Sequence, residues 1–485
     1  MSRHSTNPWV VLVIICLAQF MVILDATIVN VALPSIQKSL SLSQANLQWI
    51  INAYTLVFAG FLLLGGRLGD LLGRKRIFMI GLVIFTAASF LNGIAQTSGM
   101  LIGFRALQGL GAALISPAAL SIISTTFAEG KERAKALGVW AAIAIGGSAV
   151  GLVLGGALTE WLSWRWIFFV NIPVGIAAFF AAARLVPESK DEHEHKGYDI
   201  GGAVTVTGGL MILVYGLVTG HQHGWTSVTT IGSFLVAAVL LISFVFIEMR
   251  SSEPLVRLSI FRVRSLTTAN VSMFLAFSGM FAMFFYNTQY IQEVLKFGPL
   301  KAGLAFLPFT AGVMLSAGLA STFAPRLGVR PVAVVGMVLT AVGLLLFAQM
   351  PATGASYASD VLPGMLIASL GMGAIFMPLT LIATTGLKDE DQGLASGLFN
   401  TSQQVGGALG LAVLTTIAIS HTSAAALKNP YDSASLPSIV HGWQYAFYGA
   451  AVFVILSLIA FVALLRKRHV ATIEAAAEVG AVPAV

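Results

Sequence analysis

The sequence predicts an all-α polytopic membrane protein with fourteen transmembrane helices, and three observations predict it. The first is composition. Of 485 residues, 57% are hydrophobic and only 10% charged, whereas a soluble domain carries about 25% charged residues. The second is the recurrence of mostly apolar stretches of about 20 residues, long enough for a helix to cross a bilayer. They fall near 9–32, 47–66, 77–96, 100–124, 136–159, 166–185, 200–219, 228–248, 268–290, 302–322, 332–350, 360–384, 394–418 and 443–465. The third is where the cations lie. With the N-terminus inside, 21 of the 27 lysines and arginines fall in inner segments, five fall in outer loops, and Arg105 alone lies within a span. Cations gather on the cytoplasmic side, so both termini are expected there. The same bias accounts for the net charge of +7 without a nucleic-acid partner. The period-2 alternation of barrel strands is absent.

Other classes fall away on composition and motif. Cys16 is the single cysteine, so neither an intrachain disulfide nor a cysteine-based metal site is expected. The first apolar stretch is too long for a secretory signal, is interrupted by Asp25, and runs into Pro34 without a small-residue cleavage site. No P-loop, catalytic triad or dinucleotide fingerprint occurs, so no enzymatic activity and no cofactor are expected. His193 and His195, like His221 and His223, read as solvated loop residues, and no metal site is expected.

An internal repeat organises the spans. Ile36-Gln37-Lys38-Ser39-Leu40 recurs as Ile291-Gln292-Glu293-Val294-Leu295, a shift of 255 that also sets Gly73 against Gly328, Lys75 against Arg330 and Gly81 against Gly336. The first span thus corresponds to the ninth and the second to the tenth. Two six-helix bundles follow, at 1–185 and 260–470, with a cytoplasmic loop and an inserted pair of spans at 186–259 and a cytoplasmic tail at 471–485. Such a plan suits a transporter that rocks one bundle against the other about a midplane site. The charges are not repeated. Asp25 maps to Met280, Asp70 to Pro325 and, once Pro117 is matched to Pro378, Arg105 to Leu366.

In the first span, Asp25 is a carboxylate in Leu24-Asp25-Ala26-Thr27-Ile28-Val29-Asn30-Val31-Ala32-Leu33-Pro34. A charge at that depth costs at least ~3 kcal/mol on insertion scales. A group that is neutral or charged by turns, reached from one side at a time, is what proton coupling requires. The structural alternative is a hydrogen-bond acceptor between helices, with Asn30 or Asn52 as partner. Glu160, Glu248, Glu293 and Asp360 fall at span ends, where solvation accounts for them. The loop Gly66-Arg67-Leu68-Gly69-Asp70-Leu71-Leu72-Gly73-Arg74-Lys75-Arg76 combines glycines that permit a tight turn with an expected Asp70–Arg74 ion pair. It reads as a conformational latch, and its cations also set topology. In the fourth span, Arg105 shares a helical face with Gln108, Gly109, Ala112 and Ser116. Its charge is permanent, which suits it to bias a nearby acid; the alternative is snorkelling from the end of the span.

In the fifth span, Gly147, Gly151 and Gly155, with Gly156, give small-xxx-small spacing for close helix packing and a seal against protons. Candidate lining of a substrate cavity comprises Asn30, Gln108, Tyr286, Asn400, Gln403 and Gln404. The last three share one face of the thirteenth span, where tying helices together is an equal reading. The ninth span, Met280-Phe281-Ala282-Met283-Phe284-Phe285-Tyr286-Asn287, offers the deformable and flat side chains that suit an apolar pocket.

These stretches together resemble the major facilitator superfamily, and within it the fourteen-span drug:proton antiporters of the EmrB/QacA type. The 24–34 stretch resembles that subfamily's first-span motif, and 66–76 the superfamily's signature loop. Arg105-Ala106-Leu107-Gln108-Gly109-Leu110-Gly111 resembles the fourth-span motif tied to proton coupling. Gly147-Ser148-Ala149-Val150-Gly151-Leu152-Val153-Leu154-Gly155-Gly156 resembles the antiporter motif, with Leu152 where that motif usually has proline. Trp164-Arg165-Trp166-Ile167-Phe168-Phe169-Val170-Asn171-Ile172-Pro173 is similar to a further subfamily stretch. The resemblance implies a proton-gradient-driven exporter of amphipathic, often cationic compounds in a bacterial inner membrane. Its partners would be a small-molecule substrate and the lipid bilayer, and a monomer suffices for the task. The alternatives are a dedicated exporter of an endogenous metabolite, antibiotic or lipid, and a membrane sensor or scaffold that transports nothing.

Overall fold

The computed structural model describes residues 7–127, 131–189, 199–251, 254–384, 389–428 and 433–465. The tail 471–485, and with it His193 and His195, lies outside the described residues. Hydrocarbon offers the backbone no hydrogen-bond partner, so apolar stretches must satisfy themselves as helices. Among the described residues there is accordingly no strand, and fourteen long helices follow in order. They are α1 Pro8–Ser39, α2 Trp49–Leu72, α3 Arg74–Ile94, α4 Ser98–Thr126, α5 Lys131–Trp161, α6 Asn171–Leu185 and α7 Ile200–His223. They continue as α8 Val228–Arg250, α9 Arg264–Gln289, α10 Leu307–Leu327, α11 Val329–Phe347, α12 Leu362–Thr384, α13 Asp389–Ser420 and α14 Leu436–Leu464. Thirteen candidate membrane spans lie among the described residues. The remaining predicted span is α5, a helix of 31 residues, several of whose side chains fall outside the described set.

Helix starts follow from local chemistry. Asn7 caps α1 by accepting the Trp9 N–H at 3.0 Å, with Pro8 at the first helical position. Thr97 caps α4 by accepting the Met100 N–H at 3.3 Å. The repeat reappears as conformation. Gly73 and Gly328 join α2 to α3 and α10 to α11 with φ of 107° and 89°, values that a residue with a β-carbon adopts only under strain. Their N–H groups donate to Gly69 O at 3.1 Å and Ala324 O at 2.9 Å, which are themselves 255 residues apart.

Helix packing repeats as well. A β-carbon on Gly81 of α3 would lie 3.0 Å from Gly111 O of α4, and one on Gly336 of α11 would lie 2.8 Å from Gly371 O of α12.

The chain forms two compact units. One comprises Met1–Leu213, Gly232–Leu255 and Gly298–Leu304, the other Val214–Ile231, Val256–Phe297 and Ala305–Val485. The core of the first contains Ile15, Phe78, Phe85, Ile115 and Phe127. In the second, Phe347 and Phe447 approach with ring centroids at 5.3 Å. Helix α8 buries little of itself and leaves Leu235, Val239, Ile242 and Phe246 exposed, as a lipid-facing helix does. Glu248 corrects the expectation of a solvated span end. It is buried, and a β-carbon on Gly202 would lie 2.8 Å from its Oε1: close packing of α7 on α8 covers the carboxylate.

Candidate functional site

Asp25 lies midway along α1 and is fully buried. Apolar side chains force α1 into the interior of the first unit, and the carboxylate goes with them. What makes its burial tolerable is a set of three donors from two other helices. Arg105 of α4 donates through Nη1 to Asp25 Oδ2 at 2.5 Å. Gln108, one turn on, donates through Nε2 to Oδ1 at 2.8 Å, and Asn171 at the start of α6 donates through Nδ2 to the same oxygen at 2.9 Å. The carboxylate therefore has one charged and two neutral donors, all charge-assisted.

The network extends outward from there. Arg105 also donates through Nη1 to Gln108 Oε1 at 2.8 Å and through Nε to Ile50 O at 3.1 Å. Its guanidinium carbon stands 4.3 Å from the Tyr54 ring centre, a cation–π contact in a desolvated place. Asn92 donates to Gln108 Oε1 at 2.8 Å. Ser89 accepts from Gln108 at 3.2 Å and Asn171 at 3.0 Å and donates to Phe168 O at 2.9 Å. The amide oxygens of Asn92 and Asn171 in this network have no partner among the described residues.

Several sequence readings change here. Arg105 is buried, so it does not snorkel; the ion pair holds it inside. Gln108 was expected to line a cavity but is wholly enclosed as a ligand of Asp25. Asn30 and Asn52 are not the partners of Asp25. Asn30 donates to Ala26 O at 3.2 Å and Thr27 O at 3.4 Å of its own helix, and Asn52 donates to Gln48 Oε1 at 3.5 Å. Sequence reasoning missed Asn171, Ser89 and Asn92. The signal for the last two was present, because they are spaced i, i+3 within an otherwise apolar span.

The glycines of α5 pack on the same stretch of α1. Added β-carbons would lie 3.2 Å from Phe20 at Gly147, against Thr27 Oγ1 at Gly151, and 2.7 Å from Ile28 O at Gly155. A β-carbon on Gly156 would lie 2.5 Å from Pro299 O. Leu152, in the proline position, is buried.

At the signature loop, a β-carbon on Gly66 would lie 3.4 Å from Pro117, and one on Gly69 3.9 Å from Ala118. The side chain of Asp70 lies outside the described residues, and its expected pairing with Arg74 lies there too. What the structure places at this loop is Glu188. Its carboxylate accepts the N–H groups of Lys75 at 3.0 Å and Arg76 at 3.2 Å, while Ser189 O accepts that of Arg74 at 2.8 Å. The acid meets the positive end of α3. Lys75 Nζ donates to Ala183 O at 2.8 Å.

In the second unit, Tyr286 is buried and donates to Thr415 Oγ1 at 3.1 Å. Asn400 is exposed, and Gln403 and Gln404 are half-buried along α13.

A family profile described as "Major Facilitator Superfamily" matches residues 15–411. The puromycin resistance protein pur8 of Streptomyces alboniger is 37% identical over 458 residues, covering 94% of this chain and 91% of that protein. The cephamycin export protein CmcT of Amycolatopsis lactamdurans is 38% identical over 458 residues, covering 94% and 92%. Among solved structures, the POT family transporter PepTSo aligns with a TM-score of 0.69 at 16% identity, over 94% of this chain and 98% of that one. This last likeness speaks for the fold alone.

Proposed function

Because this chain belongs to the Major Facilitator Superfamily, we propose that it is a secondary exporter of amphipathic, often cationic compounds, driven by protons that load and unload Asp25. Export is supported by relatives over nearly the whole chain that are named for antibiotic resistance and export. The observation that carries the proton part is the buried Asp25–Arg105 ion pair with its two amide donors.

Arg105 keeps its charge in any state, so the pair has one variable member. A proton on Asp25 Oδ2 would cancel the attraction that ties α1 to α4. Arg105 would keep its contacts to Ile50 O, Gln108 Oε1 and the Tyr54 ring and hold its place while α1 moves. Deprotonation would restore the tie. Such a switch couples proton occupancy to helix position by a differential contact, which is what a two-state carrier needs. The reading places the protein in a bacterial cell membrane with both termini cytoplasmic, supported by the bias of lysine and arginine. It requires a small-molecule substrate and a proton gradient, and neither a cofactor nor a second subunit.

Purified protein in liposomes tests this reading. With a pH gradient imposed, Asp25→Asn should abolish proton-driven drug movement while leaving the fold intact. Transport at the wild-type rate would remove Asp25 from the mechanism. The name of the cephamycin export protein favours a second reading, a carrier dedicated to one natural product. A panel of unrelated dyes separates the two, because a dedicated carrier moves none of them.

A further inference from the structure

The second unit contains a buried polar group that nothing above employs. Asn287, near the end of α9, is fully buried, and neither its amide nitrogen nor its amide oxygen has a partner among the described residues. Thr288 is equally buried, and its hydroxyl likewise has no partner among the described residues. Buried polar groups are nearly always paired, and those that are not call for an explanation. Two donor groups and two acceptor-capable oxygens thus fall on successive residues of the helix. Immediately beyond them the backbone leaves α-helical register for a π-helical turn, Tyr290–Val294, a feature that recurs at functional sites.

What leads up to the pair is also informative. Phe277, Phe281 and Phe284 follow one another at i, i+4 and i+7 on α9, and Asn287 and Thr288 stand three and four residues beyond Phe284, on the same side of the helix. All three phenylalanines are half-buried. Phe284 stacks on Phe306 at 5.8 Å and meets Phe309 edge-on at 5.1 Å. Phe281 packs so closely on α13 that a β-carbon on Gly407 would lie 2.5 Å from its ring. Gly407 continues the face of α13 that carries Asn400, Gln403 and Gln404, at spacings of seven, four and three. An apolar strip along α9 thus leads to a carboxamide and a hydroxyl, and the helix face that meets it at Gly407 also carries the half-buried Gln403 and Gln404.

We propose that Asn287 and Thr288 form a hydrogen-bonding subsite for substrate, taking aromatic amphipathic compounds that carry a carboxamide. The aromatic body lies along Phe277, Phe281 and Phe284. The carboxamide pairs reciprocally with the Asn287 side chain, its N–H to Oδ1 and its carbonyl to Nδ2, and Thr288 Oγ1 serves the remaining lone pair. The repeat sharpens the assignment, because the counterparts of Asn287 and Thr288 under the shift of 255 are Ala32 and Leu33. A ligand that fills both atoms of a buried amide is strongly preferred over one that leaves them empty.

The subsite rests on the export reading above, and one experiment separates the two. Uptake into inverted membrane vesicles is measured with two probes: puromycin, an aromatic nucleoside with a carboxamide linkage, and tetraphenylphosphonium, an aromatic cation with no hydrogen-bonding group. For Asn287→Leu the ratio of puromycin to tetraphenylphosphonium rates should fall at least tenfold, for Thr288→Val by a smaller factor, and Asn287→Gln should restore part of the loss. A ratio within twofold of wild type in Asn287→Leu overturns the subsite. So does wild-type protein that moves tetraphenylphosphonium alone. If wild type moves puromycin alone, the puromycin rate of Asn287→Leu at an unchanged melting temperature is the readout, and a rate within twofold of wild type overturns the subsite. Wild-type vesicles that accumulate neither probe overturn the export reading, and the subsite with it.

Discussion

Asp25 on α1 and Met280 on α9 hold equivalent places in the two repeats, and both are buried. Around Asp25 the first unit gathers a guanidinium, three carboxamides and a serine into one connected network. The second unit disperses its polar groups. Ser278 donates to Phe274 O and Gly406 O, Ser457 to Ser272 O, and Tyr286 to Thr415. The backbone devices, by contrast, are shared: the positive-φ glycines at 73 and 328, and the glycine contacts at 81 and 336. A duplicated scaffold has therefore kept its mechanics in both copies and concentrated titratable chemistry in one.

Breaking the ion pair tests this division most severely. Arg105→Ala leaves a buried carboxylate without its counter-charge, a loss of about 3–5 kcal/mol for such pairs. A marked drop in melting temperature of the purified protein is expected, along with loss of transport. Adding Asp25→Asn should recover much of the stability, because the uncompensated charge is then gone. A single variant as stable as wild type would show that the pair is not what makes Asp25 tolerable.

The converse experiment places the acid in the other copy. Met280→Asp introduces a carboxylate where no guanidinium waits, at a cost of about 3 kcal/mol on insertion scales. Lower thermal stability is expected, and in an Asp25→Asn background no return of proton-driven transport. Restored transport would mean that either bundle can house the proton and that the asymmetry is incidental.

The smallest expected effect concerns a device the copies share. Gly73→Ala should cost about 1–2 kcal/mol through its left-handed backbone, and its β-carbon would also meet the Glu188 carboxylate at 2.7 Å. Urea or thermal titration of Gly73→Ala, Glu188→Ala and the double variant isolates that contact as a coupling energy. Strict additivity would reduce Glu188 to a bystander.

The spans could be read from the sequence because lipid imposes them directly: an apolar stretch of the right length has no alternative to a helix; the repeat could be read because its matched residues share one offset. The site could be read only in part. Asp25 and Arg105 stood out because each is a charge in an apolar run. Their pairing depends on how α4 packs on α1 across 80 residues of chain, which no local pattern encodes. Gln108 looked like a cavity residue because its helical face was visible and its enclosure was not. Asn171 was hidden within a run of aromatic residues. Glu188 acts through two backbone N–H groups, and backbone partners leave no mark on side-chain patterns.

The ion pair also has an electrical consequence. With Asp25 ionised, the pair carries no net charge; with Asp25 protonated, it carries one positive charge from Arg105. In the proposed cycle, a monovalent cation that replaces one proton leaves the charge crossing the membrane at zero, and such exchange ignores the membrane voltage. An uncharged compound exchanged for the same proton moves one elementary charge inward, for which each 100 mV contributes about 2.3 kcal/mol. If one proton is exchanged per cycle as proposed, voltage sensitivity becomes a property of the cargo: clamping liposomes at different potentials should change the export of neutral compounds and leave that of monovalent cations alone.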